Sequence, residues 1–233
     1  MRIELKRKKI GSLECMVAHQ GDDLPTVILF HGYGADMNDL APLAGAIPGA
    51  PKANWVFPNG HIAIEMGGFG EGRAWFPLRI AEMQAAMARG EGVDFSKESP
   101  PGLKRARESA LELIRELKVP MKKLIIGGFS QGSILATDVV MHLPEPPAGL
   151  VILSGTIANS ATWELKGASH KGLKFFMSHG KHDEILPIQG AETLHQLLQK
   201  IGWAGKLMSF HGGHGIPSEV LIQLGQFIRL ALS

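Results

Sequence analysis

The chain has 233 residues, 45% hydrophobic and 20% charged, with 29 glycines and 14 prolines, a composition ordinary for a globular protein and wrong for a disordered one. Its formal net charge of +2 lacks the broad basic footprint expected of a nucleic-acid or anionic-membrane binder. A single cysteine, Cys15, excludes an internal disulfide framework and a metal-thiolate cluster, and no run approaches the roughly 18 apolar residues of a membrane span.

The charged N-terminus, Met1 to Lys9, leads into no apolar segment, so no signal peptide is read and a cytoplasmic location is expected. Residues 1–20 alternate apolar and polar types and predict extended chain or a hairpin, with Lys6 to Lys9 guarding an edge strand and Cys15 as a small core residue. Pro25 to Phe30 is a continuous apolar run, the signature of a strand buried on both faces. It enters His31-Gly32-Tyr33-Gly34-Ala35-Asp36, whose glycines free the backbone to aim N–H groups at an anion or a polarised oxygen. Taken alone, that stretch reads equally well as an ordinary strand-to-helix turn.

Asn54 to Pro58 reads as another buried strand, and the glycine-rich stretch from Met66 to Pro77 as irregular chain. Phe69, Trp75 and Phe76 there are costly to leave in water, so with Met66 they are read as one wall of a pocket, core anchoring of the loop being the alternative. Helices are predicted over 78–89, with Ile80, Met83 and Met87 on one face, and over 101–118, with Leu103, Ala106, Ala110, Leu113, Ile114 and Leu117 as an apolar stripe. Strands follow over 122–129, 150–155, 174–180 and 206–210, with helices after 130, up to about 201 and over 218–232. This alternation predicts an α/β fold: one domain over 1–233, a mostly parallel sheet with helices on both faces, and active residues at the carboxyl ends of the strands. Residues 66–101 are read as a lid or pocket-wall insertion.

Gly128-Phe129-Ser130-Gln131-Gly132 stands between a strand and a helix, where such a motif forms an elbow that exposes a strained serine. Acyl transfer also needs a base, a group to orient the base and donors for the oxyanion. Asp183 follows the strand 174–180 and His214 follows the last strand, so Ser130, Asp183 and His214 are the candidate nucleophile, orienting acid and base. Glu184 and Asp138 are the rivals for the acid and His211 the rival for the base, His214 being preferred for the glycines beside it. His31, His179 and His182 are read as satisfied structural histidines. The backbone N–H groups of Tyr33 and Gln131 are the candidate oxyanion donors.

With these residues in place the chain resembles the phospholipase/carboxylesterase family of α/β-hydrolases, which includes the acyl-protein thioesterases. The matching stretches are His31-Gly32-Tyr33-Gly34 with Asp36, Pro58-Asn59 with Gly67, Ala74-Trp75-Phe76, Gly128 to Gly132, Leu153-Ser154-Gly155, His179 to Asp183 with Pro187, and Gly213 to Ile216. The resemblance implies the α/β-hydrolase fold and a serine esterase that uses Ser130, Asp183 and His214 without a cofactor or metal. The partner implied is a small-molecule ester or thioester, with no nucleic acid and no membrane span; a homodimer is allowed for. Tyr33 and Ser133 depart from the family, which usually has an aliphatic residue and often a glycine there. The expected activity is hydrolysis of carboxylic esters through an acyl-enzyme. The alternatives are a thioesterase or lysophospholipase for long acyl chains and, from another class, a non-catalytic small-molecule binder.

Overall fold

The computed structural model describes residues 3–66, 70–79, 89, 95–97 and 99–233. Its centre is an eight-stranded sheet in the order β1-β2-β4-β3-β7-β8-β9-β10. The strands are β1 (Lys6–Ile10), β2 (Leu13–Ala18), β3 (Thr26–Phe30), β4 (Asn54–Pro58), β7 (Leu124–Phe129), β8 (Gly149–Leu153), β9 (Lys174–Gly180) and β10 (Ala204–Phe210). The first two are antiparallel and every pairing from β4 to β10 is parallel. The apolar-rich β3, β7 and β8 lie centrally and are buried on both faces, while the lysine-rich β1 is exposed at one edge.

Helices close both faces. Helices α2 (Leu103–Leu117), α3 (Gln131–Met141), α4 (Ser160–Gly167) and α5 (Ile188–Lys200) share one core with Ile28, Ile126 and Ile152. The other face packs the short α1 (Leu43–Ala46) and the C-terminal α6 (Ser218–Leu232) over Val27, Trp55, Ile125 and Val151. Helix α3 is apolar around most of its circumference and every residue of it is buried, as a helix wedged between the sheet and other helices requires. Its one charge, Asp138, accepts hydrogen bonds from Arg107 of α2 at 2.7 Å and from Trp163 of α4 at 2.8 Å. Asp138 therefore joins three helices and takes no part at the elbow.

One expectation is corrected. The glycine-rich stretch holds a regular element: β5 (Ile62–Glu65) and β6 (Glu71–Ala74) form a separate antiparallel pair. Glycine is what allows it, because a Cβ on Gly72 would stand 2.2 Å from the Gly34 carbonyl oxygen. Strand β6 thereby lies against the turn after β3, with Gly34 N–H bonded to Arg73 O at 2.9 Å and Arg73 N–H to Ala35 O at 2.8 Å. The helix expected over 78–89, with Ile80, Met83 and Met87, falls largely outside the described residues.

Candidate active site

Ser130 stands between β7 and α3 with φ 53° and ψ −120°, a conformation that L residues adopt only where the surroundings impose it. The surroundings here are backbone. A Cβ on Gly128 would meet the Gly132 carbonyl carbon at 2.3 Å, and one on Gly132 would meet Phe30 O at 2.1 Å. Ser130 N–H is held by Leu153 O at 2.8 Å, and its own carbonyl accepts from Ser133 Oγ at 2.7 Å. Ser133 is thus spent on bracing the elbow, fully buried and away from the cavity in front of Ser130.

Asp183 sits in the turn after β9. Its Oδ1 accepts the N–H groups of Ile185 and Leu186, both at 2.9 Å, and its Oδ2 accepts from His214 Nδ1 at 2.7 Å. Burial pushes this carboxyl up, but the hydrogen bonds from His179, His214 and Leu186 outweigh it and hold the group well below the usual carboxylate range. His214 is carried on the loop after β10, which β9 supports. A Cβ on Gly180 would lie 2.2 Å from Gly213 O, His182 N–H donates to Gly212 O at 3.0 Å, and Ser154 Oγ donates to Gly215 O at 3.3 Å. Phe129 packs on the imidazole, with ring centroids 4.8 Å apart. His211 is exposed and pairs with the His182 ring at 5.7 Å, and Glu184 is exposed beside Asp183. The fold therefore brings His214 to Asp183 and leaves both rivals at the surface.

Ser130, Gln131, Tyr33 and His214 line one cavity of about 500 Å³. Its remaining walls are largely apolar, from Leu78, Phe95, Phe129, Ile134, Ile185 and Leu186, with Asp39 the one carboxylate among the described residues that line it. The N–H groups of Tyr33 and Gln131 donate to no acceptor among the described residues, whereas Gly34 and Ala35 beside Tyr33 are bonded. Gln131 opens α3, where backbone N–H groups lack intrahelical partners and carry partial positive charge. Two unspent donors and a strained serine at the head of one apolar cavity can stabilise an oxyanion.

The proposed pocket wall is not where the sequence suggested. Trp75 and Phe76 are fully buried behind the elbow and do not line the cavity. Gln131 explains their position: its Oε1 accepts Trp75 N–H at 2.9 Å and its Nε2 donates to Phe76 O at 2.7 Å. Trp75 Nε1 also donates to His31 O at 2.9 Å. Met66 is exposed, its methyl group lying against Gly34, and it too is absent from the cavity. Phe69 lies outside the described residues. Phe95, Ile185 and Leu186, which the sequence reading missed, take the place of those side chains. Among the described residues, no group of three or more His, Cys, Asp or Glu side chains is arranged to hold a metal ion.

A family model described as Phospholipase/Carboxylesterase matches residues 13–232. The chain belongs to the phospholipase/carboxylesterase family. Among curated relatives, it is 27% identical over 215 residues to an acyl-protein thioesterase 1 of Eremothecium gossypii, covering 88% of this chain and 87% of that one. An acyl-protein thioesterase 1 of Candida albicans is likewise 27% identical, over 87% of this chain and 90% of its own. Among solved structures, esterase PE8 aligns with a TM-score of 0.76 at 25% identity over the whole of both chains. A carboxylesterase from Mesorhizobium loti aligns with a TM-score of 0.72 over 97% of this chain and 98% of its own; at 16% identity it speaks for the fold alone. Like the family's esterases and thioesterases, the protein is a serine hydrolase with the α/β-hydrolase fold, and no described helix is long and apolar enough to cross a membrane.

Proposed function

We propose that the protein is a carboxylesterase that hydrolyses small carboxylic esters through an acyl-enzyme, with Ser130 as nucleophile, His214 as base and Asp183 as the group that orients it. The observation that carries this is the 2.7 Å hydrogen bond from His214 Nδ1 to Asp183 Oδ2 beside a cavity that His214 shares with the strained Ser130. With Nδ1 committed as a donor to a carboxylate, Nε2 is the nitrogen left unprotonated to act as base. His214 Nε2 takes the Ser130 hydroxyl proton as Oγ bonds to the ester carbonyl carbon. The oxyanion is received by the N–H groups of Tyr33 and Gln131. Collapse breaks the bond to the leaving alcohol, which receives the proton from Nε2. Water then attacks the acyl-enzyme by the same route in reverse roles, releasing the acid and returning the proton to Oγ.

Residues 1–233 are read as one domain acting in the cytoplasm on a small-molecule substrate. The cavity wall at Leu78 and Phe95 favours short and medium acyl chains, and Asp39 sets a carboxylate against the polyanionic head of an acyl-CoA. A second reading, an acyl thioesterase, is favoured by the names of the curated relatives. p-Nitrophenyl esters of increasing acyl length assayed beside acyl-CoA of the same lengths separate the two. Short and medium esters are expected to show the higher kcat/KM; a preference for long acyl-CoA would move the assignment to thioesterase.

A further inference from the structure

His179, at the end of β9, is a fully buried imidazole in contact with the Asp183 carboxylate. Its Nε2 lies 2.6 Å from Leu186 O and 3.2 Å from Asp183 Oδ2, the same oxygen that accepts from His214. A carbonyl and a carboxylate both only accept, so Nε2 carries the proton and is shared between them. The other nitrogen, Nδ1, is buried without a hydrogen-bond partner among the described residues. Leaving a buried ring nitrogen unpaired is unfavourable, so the ring is held in place by what Nε2 does.

We infer that His179 is a positioning residue for the proposed reaction: it divides the Oδ2 lone pairs of Asp183 with His214 and pins the 183–186 turn that aims the carboxylate. The inference rests on Ser130, Asp183 and His214 acting as proposed above. Both carboxylate oxygens have their contacts fixed by one closed set: Leu186 N–H donates to Oδ1, Leu186 O accepts from His179, and His179 returns to Oδ2. Rotation of the carboxylate therefore breaks several contacts together, and Oδ2 keeps facing His214 Nδ1. At Oδ2 the second donor also draws off negative charge that would otherwise face His214. The titratable groups at this point are Asp183 and, across it, His214. Strand β10 sets Ser209 opposite His179, and β8 ends at Leu153 opposite Ser178, so the neighbouring strands add no charge in register.

Removing the His179 donor concentrates the carboxylate charge on His214 and stabilises its imidazolium. The acidic limb of kcat/KM should then move to higher pH, by roughly half a unit to one unit. Loss of aim should lower kcat by about tenfold to a hundredfold with KM little changed. The test compares His179→Leu with His179→Gln, whose amide nitrogen reaches close to where Nε2 stands and can donate to the same two oxygens. Displacement of the limb in the leucine variant and its return in the glutamine variant are expected. A folded leucine variant with the parent's limb overturns the inference, as does a fall in kcat without any displacement, which a merely loosened turn would give.

Nitrogen-15 correlation of the imidazoles in the parent protein needs no variant and no activity. It should find His179 as the Nε2–H tautomer, and an Nδ1–H tautomer overturns the inference even if the leucine variant does not fold. Should the parent hydrolyse no ester, the proposed function falls while the tautomer still decides whether His179 faces the carboxylate as a donor.

Discussion

Ser130 owes its backbone conformation to two glycines, and each can be tested singly. In Gly132→Ala the new methyl would stand 2.1 Å from Phe30 O and 2.5 Å from His31 O, both backbone atoms with no rotamer to yield. The elbow must open, with an expected destabilisation of more than about 2 kcal/mol in urea melts and loss of ester turnover. Gln131 is a different case, because its side chain serves the packing while its backbone N–H is the proposed oxyanion donor. Gln131→Leu leaves Trp75 N–H and Phe76 C=O buried and unpaired, about 1–3 kcal/mol for each group. Thermal unfolding should show that loss, and retention of the parent Tm would contradict the role given to the amide. The sequence made Ser130 legible through its flanking glycines, but nothing in it told that a polar Gln131 would draw Trp75 and Phe76 inward. Their large apolar surface fits a core as well as a pocket, and only the tertiary contacts decide.

The elements were legible to different degrees. Strands β3, β7 and β8 are unbroken apolar runs because they are buried on both faces, and such runs stand out from alternating chain. The β5–β6 pair was hidden because Gly72 has low strand propensity and is required by the close approach to Gly34, a long-range contact with no local signal. Phe95 was missed for a related reason. A backbone bond from Asn159 N–H to Phe95 O at 3.0 Å ties it to the start of α4 and holds it on the cavity wall, although its neighbours in sequence are polar. With Leu78, Phe95 also lines a second hollow of about 330 Å³, so the two side chains stand between that space and the active-site cavity. Phe95→Ala should join the two and shift the preferred acyl length upward in a p-nitrophenyl ester series. An unchanged length profile in a folded variant would remove Phe95 from that role.

Across the whole molecule, the candidate residues lie where an open parallel sheet collects them, at the carboxyl ends of β3, β7, β9 and β10. The same construction gives stability a pH dependence. His31 donates Nδ1–H to Gly32 O at 2.7 Å and accepts Gly60 N–H on Nε2 at 2.9 Å, so a second ring proton would face another donor. Burial pushes its pKa from 6.5 down to about 4. The unfolded chain then binds the proton first as pH falls, and stability is lost from pH 6.5 down to about 4, by roughly 3 kcal/mol. His61 and His170, also held down by burial, act in the same direction. His31→Asn should therefore be less stable at pH 7 yet lose less on acidification than the parent, as urea midpoints would show; equal slopes would deny His31 that share. The central claim is that Ser130 is made nucleophilic by His214 and Asp183, and the most direct measurement is covalent labelling by a fluorophosphonate followed by peptide mapping. The adduct should fall on Ser130, disappear in Ser130→Ala and slow sharply in His214→Ala; an adduct elsewhere, or labelling of Ser130 indifferent to His214, would contradict the account.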